Sequence, residues 1–313
     1  MTSFKFDQFV AFGSDSAGLE RILRGLQALT AIFTAYPSLL SLFLQTPNPA
    51  ILEALDPLKG YLNLTRRSIR LFWFLNSFGS SFNLYTSISP QTALPGHKSH
   101  AAGLETWLDI LKFTLLGLYG GLETVTLPDL MSIPQLAFFG PERTAALNIE
   151  AQRFWLLALA CGVLANLTRM LKAFAYAPVP QDGHGYGTGE KPAAAQVKDA
   201  EEEKKKTKKD VAEETEHGEE KLDWEAERAR LRAIVVKRRE DRKRWRGEIA
   251  RKIKTLGRKV ISDSLDCLIP GMVLGWVNVQ PGTVGVAMLI TTVLTGRDIW
   301  ERCGAEVAAK RAV

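Results

Sequence analysis

Residues 58–82 read LKGYLNLTRRSIRLFWFLNSFGSSF, and the rest of the chain is best read outward from them. At 100° per residue, Lys59, Asn63, Arg66, Arg67 and Arg70 fall within a wedge roughly 100° wide. Leu58, Tyr61, Leu62, Leu64, Ile69, Leu71, Phe72 and Leu75 fill most of the remaining circumference, and no acidic residue lies between Lys59 and Phe82. The pattern predicts a helix. A wide apolar face with a purely cationic wedge suits a helix lying in the headgroup plane of a membrane, guanidiniums at the water line. Lys59, Arg66, Arg67 and Arg70, with Leu62, Ile69, Leu71, Phe72 and Leu75, are therefore candidate contacts to an anionic phospholipid membrane. The competing reading is a core helix whose arginines snorkel to the surface.

The flanking segments carry the same period. Leu19, Ile22, Leu23, Leu26, Leu29 and Phe33 share one face of a helix over Ser16–Tyr36, opposite Glu20, Arg21, Arg24 and Gln27. Asp15 or Ser16 caps its start, and Tyr36-Pro37 ends it. A helix is expected over Leu104–Thr126, with charges that spoil it as a span, and another over Glu142–Ala177. The apolar part of the latter, Phe154–Leu167, is 14 residues, short for a bilayer. Leu268–Leu294 has no charge in 27 positions, so it is read either as one kinked span or as a helical hairpin.

Between these apolar parts the composition changes. Pro178, Pro180 and a string of glycines lead into Glu201-Glu202-Glu203-Lys204-Lys205-Lys206, read as a disordered charged linker over 178–221. A long basic helix over 222–265 follows, with 15 Lys/Arg against 5 Asp/Glu between Glu225 and Lys259 and a thin apolar stripe for docking. It has no basic-zipper heptad or reader motif, so no nucleic-acid partner is expected. With no competing strand signal, the fold class is all-α: a membrane-associated bundle of amphipathic and hydrophobic helices. The expected regions are 1–177 (N-terminal helices), 178–221 (linker), 222–265 (basic helix) and 266–313 (hydrophobic C-terminal segment).

The net charge of +6 is local: residues 1–177 hold 13 Lys/Arg against 11 Asp/Glu. Cys161, Cys267 and Cys303 have no CxxC spacing, so neither a disulfide framework nor a zinc site is expected. The opening MTSFKFDQFVAF lacks the basic and apolar regions of a secretory signal. GxSxG, GxxxxGK[ST] and HExxH motifs are missing. His97, His100, His184 and His217 fall in loops or the linker. The expectation is a protein without catalysis, cofactor or metal.

Four stretches in order resemble the peroxisomal biogenesis factor 11 family. They are 16–27 (SAGLERILRGLQ), 65–72 (TRRSIRLF), 116–123 (LGLYGGLE), and Asp263-Ser264-Leu265-Asp266 with Pro270, followed by Gly282-Thr283-Val284-Gly285. The resemblance covers most of the chain except 178–262, an insertion that suggests a divergent, fungal-looking branch. It implies a peroxisomal membrane protein that elongates and divides the organelle, self-associates and recruits organelle-fission factors. It makes Asp266, Pro270, Gly282 and Gly285 a C-terminal signature. The sequence itself reads Gly117, Tyr119, Gly120 and Gly121 as a helix-packing surface. The last residues, Arg311-Ala312-Val313, are not a matrix-targeting tripeptide of the Ser-Lys-Leu type. Two rivals stay open: a metabolite channel in the same membrane, with Glu105, Asp109 and Lys112 at helical spacing, and a soluble helical adaptor.

Overall fold

The computed structural model describes residues 2–40, 42, 49–88, 103–131, 133–175 and 224–312. The expected linker and all four histidines lie outside these residues. Among the described residues every regular element is helical: α1 (Thr2–Ser14), α2 (Ser16–Ala35), α3 (Pro37–Leu40), α4 (Pro49–Ile69), α5 (Trp73–Ile88), α6 (Leu104–Val125), α7 (Leu127–Leu130), α8 (Pro141–Ala175), α9 (Trp224–Asp266), α10 (Leu268–Val273) and α11 (Pro281–Ala312). A single 3₁₀ turn, Pro134–Leu136, precedes α8. The fold is all-α, as the periodicity predicts.

Residues 2–171 and 254–312 form one compact unit, and Lys172–Ile253 a second. In the first, α2 lies along both α4 and α11, α5 lies along α6, and α1 packs on α11 and α2. Asp15 caps α2 by accepting a hydrogen bond from the Gly18 amide at 3.1 Å. In the second unit, Trp245, Ile249 and Ile253 of α9 line one groove with Ala173 and Phe174 of α8. Three residues of the thin apolar stripe of α9 lie there, whereas Leu231 and Val235 of the same stripe are exposed.

Two expectations are corrected. Residues 58–82 are not one helix: α4 begins earlier, carries Pro57 inside it, and ends at Ile69. Over 70–75 the backbone switches to i→i−3 hydrogen bonds, Leu71 N to Ser68 O at 3.3 Å and Trp73 N to Arg70 O at 2.9 Å. The Leu71 carbonyl, released from the helical ladder, accepts from Thr124 Oγ1 of α6 at 2.7 Å. Neither glycine nor proline marks this break; the acceptor's partner comes from 53 residues away. Residues 268–294 are likewise not one kinked span. α10 stops at Val273, Gly275 adopts a left-handed φ of 71°, and α11 starts afresh at Pro281.

Among the described residues one helix, α8, is long and apolar enough to cross a bilayer. The expectation of a segment too short to cross is corrected here. The stretch before Phe154 holds Ala145, Ala146, Leu147 and Ile149, so the usable window is longer than the uninterrupted apolar run.

Candidate functional site

The first unit buries charged and polar side chains beside an apolar core of Ile32, Leu127, Leu159 and Met288, and leaves many large apolar side chains exposed. In α2, Glu20 is 1% and Arg24 5% exposed, whereas Leu19, Leu26 and Leu29 face outward. The two faces anticipated for α2 are present, and the charged one turns inward. In α11, Thr291 is fully buried while Val293 is 66% exposed. In α8, Ala151, Ala158, Gly162 and Ala165 line the packed face, and Leu157, Leu164 and Leu171 point away from it. Scattered apolar exposure is ordinary in soluble proteins; the informative feature is its combination with buried charge.

That buried charge is organised around three carboxylates. Glu20 Oε1 accepts from Arg66 Nε at 3.0 Å and Nη2 at 2.6 Å, and Arg21 Nε lies 3.4 Å from Glu20 Oε2. Arg66 also donates to the Gln27 side chain. Glu123 is shared by Arg67, at 3.4 Å, and Arg70, at 3.1 Å, and Arg67 donates to Asn148 Oδ1 at 3.0 Å. Asp266 takes Arg24 Nη2 at 2.5 Å, and the same nitrogen donates to Thr291 Oγ1 at 3.1 Å. Burial by itself would raise the pKa of Glu20, but Arg21, Arg66 and Arg70 around it bring it down to about 2. Burial lowers the pKa of Arg21 to about 10, with Glu20 opposing the shift and Arg24 adding to it.

The predicted membrane-contacting residues thus divide. Arg66 is buried, and Arg67 and Arg70 are mostly so; they pair with Glu20 and Glu123 instead of standing at a water line. Their counterions sit on α2 and α6, which inspection of 58–82 alone does not reveal. Lys59 is the outward cation, 3.2 Å from Asp56. Phe72 at 65% and Leu75 at 57% are exposed, as are Leu58 and Tyr61, whereas Leu62, Ile69 and Leu71 are half-buried. The wedge is real, and it faces the bundle interior.

The other singled-out residues are packing positions. A Cβ on Gly117 would stand 2.6 Å from the Phe78 ring and one on Gly120 3.0 Å from Phe74 Cβ, so α5 rests directly on the α6 backbone. Nothing lies within 4 Å of such an atom on Gly121. Tyr119 is buried and stacks on Trp155 with centroids 5.3 Å apart. Gly285 brings α11 against α2, where a Cβ would meet Ile32 Cγ1 at 3.1 Å; Gly282 is covered by the Tyr36 ring. Pro270 is buried, and Asp266 holds Arg24. Sequence reading passed over Glu20, Arg24 and Glu123 as an ordinary polar face and a helix interruption. The signal available was Glu123 standing as the lone charge in the stretch from Phe113 to Thr126.

Asp109 pairs with Arg169, and Lys112 lies 3.2 Å from Asp263 Oδ2. These two members of the polar ladder on α6 are therefore tied to α8 and α9. No cluster of metal-ligating side chains occurs among the described residues.

The sequence model of the family described as peroxisomal biogenesis factor 11 matches residues 6–300. No curated protein and no solved structure matches the chain. A match over nearly the whole length establishes membership: this chain belongs to the peroxisomal biogenesis factor 11 family.

Proposed function

We propose that this peroxisome biogenesis protein elongates and divides peroxisomes by embedding the apolar exterior of its first unit in the organelle membrane. The observation carrying this reading is the coincidence of exposed large apolar side chains, Phe72, Leu75, Phe82 and Leu171, with buried charges, Glu20, Arg24 and Arg66. Each large apolar side chain moved from water into hydrocarbon gains about 1–2 kcal/mol at these exposures. Net folding stabilities are only about 5–15 kcal/mol, so a surface with ten such side chains strongly prefers lipid. The interior follows the rule for membrane bundles that charged residues face inward and pair, here with more arginines than carboxylates.

In this reading α4 and α5 insert with Tyr61, Phe72, Leu75 and Phe82 against acyl chains, Lys59 reaching a headgroup, and Arg66, Arg67 and Arg70 clamped by their carboxylates. A helix pair occupying area in one leaflet enlarges that leaflet and favours curvature. Self-association of many copies concentrates the effect. The chain is not read as an enzyme. The channel reading is the weaker one, because Asp109 and Lys112 are committed to ion pairs.

The test is Phe72→Asp with Leu75→Asp in the full chain, in cells lacking the native protein. Both sites are exposed, so the helices should fold with unchanged circular dichroism. Carbonate extraction should then release the protein and organelles should stay few and enlarged. Retention in the membrane with normal organelle number would overturn the reading.

A further inference from the structure

The ion network of the first unit does not balance. Arg21 and Arg66 share Glu20, Arg67 and Arg70 share Glu123, and Arg24 alone holds Asp266. Five guanidiniums therefore face three carboxylates, a formal surplus of two positive charges. Among the described residues, buried Arg21 Nε and Nη1, Arg24 Nε, Arg67 Nε and Arg70 Nε find no hydrogen-bond acceptor. Two of these, Arg21 Nε and Arg67 Nε, lie at 3.4 Å from a carboxylate oxygen, and Glu20 Oε2, beside Arg21, likewise has no hydrogen-bond partner. Burying unsatisfied charged donors is among the costliest things a fold can do. Lys112 and Asp263, the next charges on α6 and α9, neutralise each other and leave the surplus unchanged.

We infer that Arg21 and Arg24 of α2, Arg66 and Arg67 of α4, and Arg70 just beyond it form a binding site for a phosphomonoester dianion. Such a group carries about −1.5 to −2 charge at neutral pH, which matches the surplus, and three oxygens that accept from forked guanidiniums. Arg21 and Arg70 retain 21% and 18% of their side-chain surface, so the cluster is reachable from outside. A monoester arrives in one of two ways: on the headgroup of a lipid such as phosphatidic acid, or as free phosphate or a phosphorylated metabolite. The site is defined by the charge count, so it stands independently of the proposed membrane function.

The experiment uses the full chain in a neutral detergent. Thermal unfolding is followed with inorganic phosphate, with chloride at equal ionic strength, and in mixed micelles containing phosphatidic acid or only phosphatidylcholine. Phosphate or phosphatidic acid should raise Tm by about 2–4 °C at saturation, and chloride and phosphatidylcholine should not. Protection by phosphate alone assigns a soluble ligand, and protection by phosphatidic acid alone assigns a lipid. The double variant Arg21→Gln, Arg70→Gln leaves each carboxylate one cation and removes the surplus. It should unfold at the same temperature as the parent or higher, and lose the phosphate effect. Equilibrium dialysis of the unmodified chain with labelled phosphate, expected to give one phosphate per chain, keeps the question open to decision if that variant does not fold. Equal protection by chloride, or binding undiminished in a folded double variant, would overturn the site.

Discussion

Glu20 and Arg24, four residues apart on α2, hold the bundle from two directions. Glu20 reaches α4 through Arg66, and Arg24 reaches the end of α9 through Asp266. Removing one member strands the other without water, so Asp266→Leu should cost about 3–5 kcal/mol in detergent unfolding. The double change Arg24→Met, Asp266→Leu should recover most of that loss, because neither charge is left behind. Glu20 also sets an acid limit. Its folded pKa of about 2 lies below the ordinary 4.5, so the folded state favours the carboxylate. Its contribution is fully present above pH ~4.5 and is lost as pH falls toward 2. Acid unfolding of the parent should therefore steepen across that window, and Glu20→Gln should flatten it. An unchanged profile in the variant would remove Glu20 from the network.

Among the elements, the junction of α4 and α5 is the one that periodicity could not locate. A hydrophobic wheel reports which residues share a face, and that remains continuous through a tight turn of i→i−3 bonds. A tertiary contact sits at the break: the single hydroxyl proton of Thr124 on α6 faces the Leu71 carbonyl at 2.7 Å and the Gly120 carbonyl of its own helix at 2.8 Å. Thr124→Val should destabilise the unit by about 1 kcal/mol and raise amide exchange over 70–75, whereas Thr124→Ser should retain the parent behaviour. The α5–α6 contact depends on backbone proximity at Gly117, where a side chain would enter the Phe78 ring. Gly117→Val should loosen that pair, while Gly121→Ala, with open space around it, should be neutral or slightly stabilising. Helix existence was legible at α2, α6 and α8 because the 3.6 period persists there, and at α2 the Asp15 cap and Pro37 agree with it. The pairing of α4 with α2 and α6 was not legible, because a wedge of arginines looks the same whether its counterions are lipid phosphates or carboxylates on other helices.

For the whole molecule, the two faces of each helix were readable, but their direction was not. Period alone does not say which side meets the solvent: Leu26 and Arg24 are on different faces of α2 in either a soluble or a membrane bundle. The structure shows the packing side: Arg24, Arg66, Thr126 and Thr291 lie between helices together with Ile32, Leu127, Leu159 and Met288, while Phe72, Phe82, Leu171 and Val293 are exposed. The family match supplies the organelle, and the exterior suggests the phase in which the bundle sits. The most direct check is the local environment of that exterior in a bilayer. Nitroxide labels are placed singly at positions 72, 82, 171 and 293 of the full chain in anionic liposomes. Collisions with oxygen should be frequent and collisions with a water-soluble nickel chelate rare, as for a label among acyl chains. Nickel accessibility equal to that of a label at Lys310, on the exposed end of α11, would mean that this surface stands in water and that the membrane-embedded reading is wrong.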